Sequence, residues 1–293
     1  MRNAFIQELV ALARQHPQIA LIVGDLGYSV IEPFADEFPD RFINAGVAEQ
    51  NMTGLAAGMA SEGYHVFTYS IANFPTFRCA EQIRNDVAYH KLPVTVVAVG
   101  GGLAYGSLGY SHHAVQDYAL MRTLPNMLIA APGDPMETRA CLRYLIQNPG
   151  PSYLRLGKAG EPNFHAAPPT VAPGCWLQVR SGTGRRAIVS TGAGLQIAMD
   201  WVDRDEYLDR AVYSMPLWSM ENKAAQVAAL HKLDEVLTLE DHLQDGGFGS
   251  WLLEARALDQ AIKCIVRPVA LNSEVCGTVG SQATLNSLGG LLP

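Results

Sequence analysis

The chain is sparing in charge and in cysteine, and it has no long apolar run. Lys and Arg number 21 against 28 Asp and Glu, giving a net charge of −7 and a pI near 5.6. Binding phosphate backbones needs a basic face, so nucleic acid is excluded as the main partner. No apolar stretch reaches the roughly 20 residues that cross a bilayer, and no membrane is expected as a partner. The first residues, Met1-Arg2-Asn3-Ala4-Phe5-Ile6-Gln7-Glu8, lack the apolar core of a signal peptide. Five cysteines (Cys79, Cys141, Cys175, Cys264, Cys276) are odd in number, widely spread and free of metal-type spacing. They read as reduced thiols, and the expected location is the cytoplasm. Short-period repeats, low-complexity tracts and heptads are missing too.

What is present is a large apolar fraction, 48% of 293 residues, enough for two domains with a sizeable core. Residues 3–14 read as a helix with Phe5, Ile6, Leu9, Val10 and Leu12 on one side. Apolar strands follow at 19–23, 42–44, 66–69, 94–99, 127–131 and 153–156, with helices expected near 76–90 and at 135–146. The run Val94–Val99 is continuous and apolar but for Thr95, the pattern of a parallel strand buried on both faces. Prolines and glycines crowd 160–185, and alternation then resumes with strands at 187–191, 211–214, 236–239 and 265–271. Pro268 marks the last as an edge or irregular strand. The expected fold class is α/β, with two doubly wound domains and mostly parallel sheets. The expected boundaries are 1–165 and 186–293, with a linker at 166–185.

Glu49 is the most informative residue. It lies in Phe42-Ile43-Asn44-Ala45-Gly46-Val47-Ala48-Glu49-Gln50-Asn51-Met52, where a short strand turns into a helix. Open α/β sheets place ligands at the carboxyl ends of their strands. The helix it opens is rich in small residues (Gly54, Ala56, Ala57, Gly58, Ala60), which lets another backbone approach closely. A lone glutamate in a first helical turn is usually just favoured by the helix dipole. The rest of the pattern argues for more.

Gly46-Val47-Ala48-Glu49-Gln50-Asn51-Met52 resembles the segment that carries the essential glutamate in the pyrimidine-binding domain of thiamine-diphosphate enzymes. It is most similar to that of transketolases and deoxyxylulose-phosphate synthases. The resemblance covers essentially the whole chain and implies a pyrimidine-binding domain followed by a transketolase C-terminal domain. It implies thiamine diphosphate and Mg2+ as cofactors, with Glu49 hydrogen-bonded to N1′ of the aminopyrimidine. The implied reaction moves a two-carbon ketol unit from a ketose, as its phosphate, to an aldose.

Further residues follow from the same resemblance. Tyr69-Ser70-Ile71-Ala72-Asn73-Phe74-Pro75-Thr76-Phe77-Arg78 lies where transketolases place an aromatic wall, so Phe74 first and Phe77 second are expected to stack on the pyrimidine, with Arg78 as a further cofactor contact. A glycine-rich loop, Gly100 to His113, resembles the family loop ending in Gly-x-Thr-His, with Ser111-His112 in that place. His112 is the expected catalytic histidine, and both His112 and His113 are candidate substrate contacts. Arg2, Ser29 and Lys158 fall near the family's acceptor-phosphate positions, and Arg155 is placed to assist. Two departures concern the sugar: Leu108 replaces an aspartate four residues before His112, and Gly100-Gly101-Gly102 replaces a region with another histidine. Gly24-Asp25-Leu26 upstream of Asn51 imitates the diphosphate motif, but Leu26 obstructs where a glycine is needed. Glu240 to Ser250 resembles the family's Glu…Gly-Gly-x-Gly segment and reads as structural and interfacial.

The diphosphate and metal are therefore expected on a separate N-terminal diphosphate-binding subunit, in an α2β2 assembly with self-association through this chain. The competing readings are a deoxyxylulose-phosphate-synthase-like subunit, a 2-oxoacid dehydrogenase β-like subunit, and a non-catalytic regulatory homologue.

Overall fold

The computed structural model describes residues 1–292. The apolar runs form two sheets. The first contains β1 (Ile19–Val23), β2 (Phe42–Asn44), β3 (His65–Ile71), β4 (Val94–Val99), β5 (Leu128–Ala130) and β6 (Ser152–Leu156). All six are parallel, in the order β5-β6-β4-β3-β1-β2. β1 and β4 are buried at every residue, which is why they read as apolar runs, interrupted only by Thr95. The later strands are β7 (Leu177–Arg180), β8 (Arg186–Ser190), β9 (Ala211–Ser214), β10 (Leu217–Trp218), β11 (Glu235–Leu243) and β12 (Ile265–Leu271). Five of them form the second sheet, in the order β12-β11-β8-β9-β7. Pro268 sits on its edge strand β12, as a residue without an N–H requires.

Helices α1 (Arg2–Ala13), α2 (Glu32–Glu37), α3 (Glu49–Ser61), α4 (Asn73–Phe77), α5 (Ala80–Gln82), α6 (Asp117–Met121) and α7 (Pro135–Gln147) belong to the first half. Helices α8 (Gly194–Trp201), α9 (Val227–Leu230), α10 (Phe248–Arg256) and α11 (Gln282–Leu288) belong to the second. Phe5 and Leu9 of α1 and Leu142 and Leu145 of α7 pack with Leu21, Phe67 and Leu154 on one face of the first sheet. Met52, Ala56, Ala57 and Ala60 of α3 pack with Ala20, Ile22 and Val66 on the other. That packing fixes the first turn of α3, and hence Glu49, at the carboxyl ends of β1 and β3.

Three features depart from the sequence pattern. The helix expected near 76–90 is broken: Cys79 leaves helical geometry (φ −106°, ψ 10°), and a wide π turn follows at Ile83–Ala88. Strand β7 forms inside the proline-rich stretch and pairs antiparallel with β9. Strand β10, from the second half, pairs antiparallel with β5 of the first sheet. Runs of two to four residues are too short to show a period.

The seam between the sheets is aromatic and charged. Trp218 meets Tyr118, Phe248 and Trp251 at ring separations of 5.4, 5.4 and 5.5 Å. Arg155 of β6 bonds Asp117 (Nε–Oδ2, 2.7 Å) and Asp241 of β11 (Nη1–Oδ1, 2.5 Å). All three side chains are at most 2% exposed. No helix among the described residues is long and apolar enough to cross a membrane.

Candidate active site

Glu49 is the first residue of α3, and only 1% of it is exposed. Its Oε2 accepts a hydrogen bond from Arg78 Nη1 at 2.6 Å. A methyl group added at Gly24, the end of β1, would stand 3.6 Å from both Glu49 Cγ and Ser70 Oγ. Glu49, Gly24 and Ser70 therefore line one niche at the ends of neighbouring strands. Ser70 Oγ is buried and has no hydrogen-bond partner among the described residues. Sequence reasoning assigned it no role; the available signal was a serine near the carboxyl end of a strand that runs into the aromatic wall.

The short helix α4 supplies the wall. The half-buried Phe74 ring lies under the Arg78 guanidinium, with Cζ 5.0 Å from the ring centroid. His112 approaches the same ring edge-on, at 5.1 Å and 71°. Phe77, by contrast, is 47% exposed and lines a neighbouring hollow of about 330 Å³ with Asn73, Tyr110, Ser111, His113 and Gln116. Glu49, Arg78, Phe74 and His112 thus form one continuous set.

Loop geometry explains how His112 gets there. The segment 102–114 is pinched at its base, where Gly102 and Ala114 exchange backbone hydrogen bonds of 2.8 and 2.9 Å. Asn73 Nδ2 donates to the Ser111 carbonyl at 2.9 Å, tying the loop to α4, and Ser111 Oγ lies 3.0 Å from His112 Nδ1. The glycines at its start are required by packing. Added Cβ atoms at Gly100, Gly101 and Gly102 would run into Tyr105, Arg155 and Asp241. His113 is buried instead: it is 1% exposed, with Nε2 3.2 Å from the Gly106 carbonyl. Its Nδ1 is buried without a partner among the described residues.

The basic residues are less concerted. Arg2 donates through Nε to the Lys158 carbonyl, and Lys158 Nζ lies 5.3 Å from the Tyr105 ring centroid. Ser29 sits on an exposed turn with φ 66°, and its N–H donates to Glu32 Oε1. No hydrogen bond joins it to Arg2 or Lys158 among the described residues. Arg155 is not available for a phosphate, because both aspartates of the seam and the Ala114 carbonyl consume its donors. Asp25 is likewise committed: its Oδ1 accepts from Tyr28 OH and Asn44 Nδ2, and those bonds hold its carboxyl below the usual range. Burial pushes the Tyr69 hydroxyl, at the end of β3, up to about 12.

In the second half, Glu240 accepts from the N–H groups of Phe248 and Gly249 at the start of α10, and burial raises its carboxyl to about 8. His242 is buried against Tyr118 at 5.2 Å, and burial lowers it to about 4. Both belong to the seam rather than the cleft.

The niche suits an aminopyrimidine. It presents a buried carboxylate for a ring nitrogen, an unpartnered hydroxyl, and an aromatic face already engaged by a flat cation. Among the described residues no cluster of three His, Cys, Asp or Glu side chains could hold a metal.

Comparisons with known proteins place the chain in a family. The family described as transketolase, pyrimidine binding domain, matches residues 1–160. The chain is 32% identical over 263 residues to an apulose-4-phosphate transketolase subunit of Phocaeicola vulgatus, covering 86% of this chain and 82% of that protein. It is 33% identical over 301 residues to the putative transketolase C-terminal section of Methanocaldococcus jannaschii, covering 99% and 92%. It is 30% identical to 1-deoxy-D-xylulose-5-phosphate synthase of Clostridium perfringens over 86% of this chain, but only 41% of that enzyme. A solved structure described as a split gene transketolase, inactive beta4 tetramer, superposes with a TM-score of 0.84 at 32% identity, over 99% of this chain and 93% of that one. The chain belongs to the transketolase family and carries that family's pyrimidine-binding domain.

Proposed function

We propose that this chain is the pyrimidine-binding subunit of a split, thiamine-diphosphate-dependent transketolase. The observation that carries the reading is the buried carboxyl of Glu49 set beside the Phe74 ring and His112. Thiamine diphosphate, when bound, supplies the carbanion chemistry of two-carbon transfer. Glu49 would hold a proton at N1′ of the aminopyrimidine, which sets the ring's tautomer. Phe74 would cover one face of the ring, with Phe77 at the rim. His112 would reach the oxygen of the donor's reacting carbon. Arg2 and Lys158, with Ser29 nearby, would bring charge and a hydroxyl to a substrate phosphate; lysine does so as a point charge rather than a fork.

The diphosphate and Mg2+ would be held by a separate subunit. Apolar side chains exposed around the cleft support this: Val47 is 74% exposed, Leu108 54%, Tyr110 49% and Phe77 47%. Such surfaces usually mark an interaction site. Along α3, a methyl group at Gly54 or Gly58 would meet nothing within 4 Å, so a partner backbone can come close. An α2β2 assembly with self-association of this chain fits these faces, and it fits relatives named as a subunit and a section. The setting would be cytoplasmic carbohydrate metabolism, with residues 166–185 between domains at 1–165 and 186–293 and lending β7 to the second sheet.

The test is to purify the chain with its diphosphate-binding partner and screen ketose phosphates with thiamine diphosphate and Mg2+. Two-carbon transfer to an aldose is expected; no transfer from any ketose would overturn the reading. One observation favours a second reading. Leu108 and the glycines at 100–102 leave the donor side without the family's sugar-reading groups, and a synthase-type pyruvate donor needs fewer of them. Pyruvate in the same screen separates the two.

A further inference from the structure

Arg78 is held by the same two groups that the proposed function assigns to the cofactor. Its Nη1 donates to Glu49 Oε2 at 2.6 Å, and its guanidinium lies over Phe74 at 5.0 Å. A guanidinium is a flat, delocalised cation with N–H donors in its plane. An aminopyrimidine bound through N1′ is also a flat group that makes an in-plane hydrogen bond to Glu49 while an aromatic ring covers its face. We propose that Arg78 is a stand-in for the aminopyrimidine: it fills the slot while the cofactor is absent and must swing out for the cofactor to enter. The proposal rests on the reading of Glu49 and Phe74 given above.

Three observations support a detachable plug. Glu49 is 1% exposed, and a buried carboxylate without a partner is costly. Arg78 removes that cost in the chain by itself. The Arg78 side chain is 45% exposed, so releasing it exposes little that is not already wet. Its one side-chain hydrogen bond among the described residues is to Glu49, beside the weaker contact with the Phe74 ring. Its position also helps, because Arg78 ends α4 at the break before Cys79, where only a short turn has to give. The arginine thus stabilises the empty chain and competes with the cofactor for Glu49.

The test compares wild type, Arg78→Gln and Arg78→Lys. The chain is reconstituted with its diphosphate-binding partner and titrated with thiamine diphosphate, and binding is followed by near-ultraviolet circular dichroism. The cofactor concentration at half-saturation is expected to fall about tenfold in Arg78→Gln and less in Arg78→Lys, which keeps the charge but loses the flat fork. The empty chain carrying Arg78→Gln should melt about 2–4 °C lower than wild type, and this loss should vanish in the Glu49→Gln background. Half-saturation that is unchanged or raised in Arg78→Gln overturns the stand-in. If Glu49→Gln binds the cofactor as tightly as wild type, the reading of Glu49 itself fails. If Glu49→Gln and Arg78→Gln both weaken binding, only the stand-in fails.

Discussion

Two arginine–carboxylate pairs in this molecule use the same chemistry to opposite ends. In the seam, Arg155 is gripped by Asp117 and Asp241 with every partner at most 2% exposed. In the cleft, Arg78 meets Glu49 through one hydrogen bond, and its own side chain is 45% exposed. The first pair is locked, because separating it would strand charges in a dry interior. The second is poised, because one member is already in water. Burial of the arginine, rather than the presence of an ion pair, separates a structural clamp from a functional contact.

The largest effect that would sharpen this contrast is on activity. Glu49→Gln should reduce two-carbon transfer by the reconstituted enzyme by about 10²–10⁴-fold, with little change in the fold. Near-wild-type turnover would move the chemistry away from the cleft. Next, Arg155→Met should cost about 3–5 kcal/mol of stability, because Asp117 and Asp241 would be left facing each other unpaired. Thermal or urea unfolding reads this directly, and a loss as small as that of a surface arginine would mean that the seam is not a clamp. A third, smaller effect distinguishes the two rings of the cleft. Phe74→Leu should raise the cofactor concentration at half-saturation more than Phe77→Leu does, since only Phe74 lies in line with Glu49 and His112. Equal effects would erase the distinction.

The smallest expected effect is a pH slope. Burial lowers the seam's His242 to about 4 from its ordinary 6.5. Between those values the unfolded chain binds a proton that the folded chain refuses, so stability present above pH 6.5 is lost as the pH falls toward 4. His242→Asn should flatten part of that loss in melting curves taken from pH 7 to 4.5. His65, lowered to about 4 by its own burial, adds a slope of the same sign, and Glu240, raised to about 8, one of the opposite sign, so the wild type and His242→Asn are compared by difference. An unchanged slope in His242→Asn would contradict the buried, neutral state of that ring.

How far the sequence could be read follows the range of the forces involved. β1 and β4 were legible because both faces of each are covered, so every position but Thr95 is apolar. Glu49 was legible because its strand, turn and helix are contiguous. The pairing of Glu49 with Arg78 was not, because it joins residues 29 apart across a helix that breaks at Cys79. Arg155 was misjudged for a similar reason. A charged residue in an otherwise apolar strand asks for a buried partner, and Asp241 lies 86 residues further along the chain. β7 and β10 escaped because pairing with distant strands, not local pattern, holds them.

The most direct test of the central claim is cofactor binding by parts. Thiamine diphosphate would be titrated, with Mg2+, into this chain alone, into its diphosphate-binding partner alone, and into the mixture. The account predicts saturable, catalytically competent binding in the mixture only, weakened there by Glu49→Gln. Tight binding and full transfer by this chain alone would contradict it.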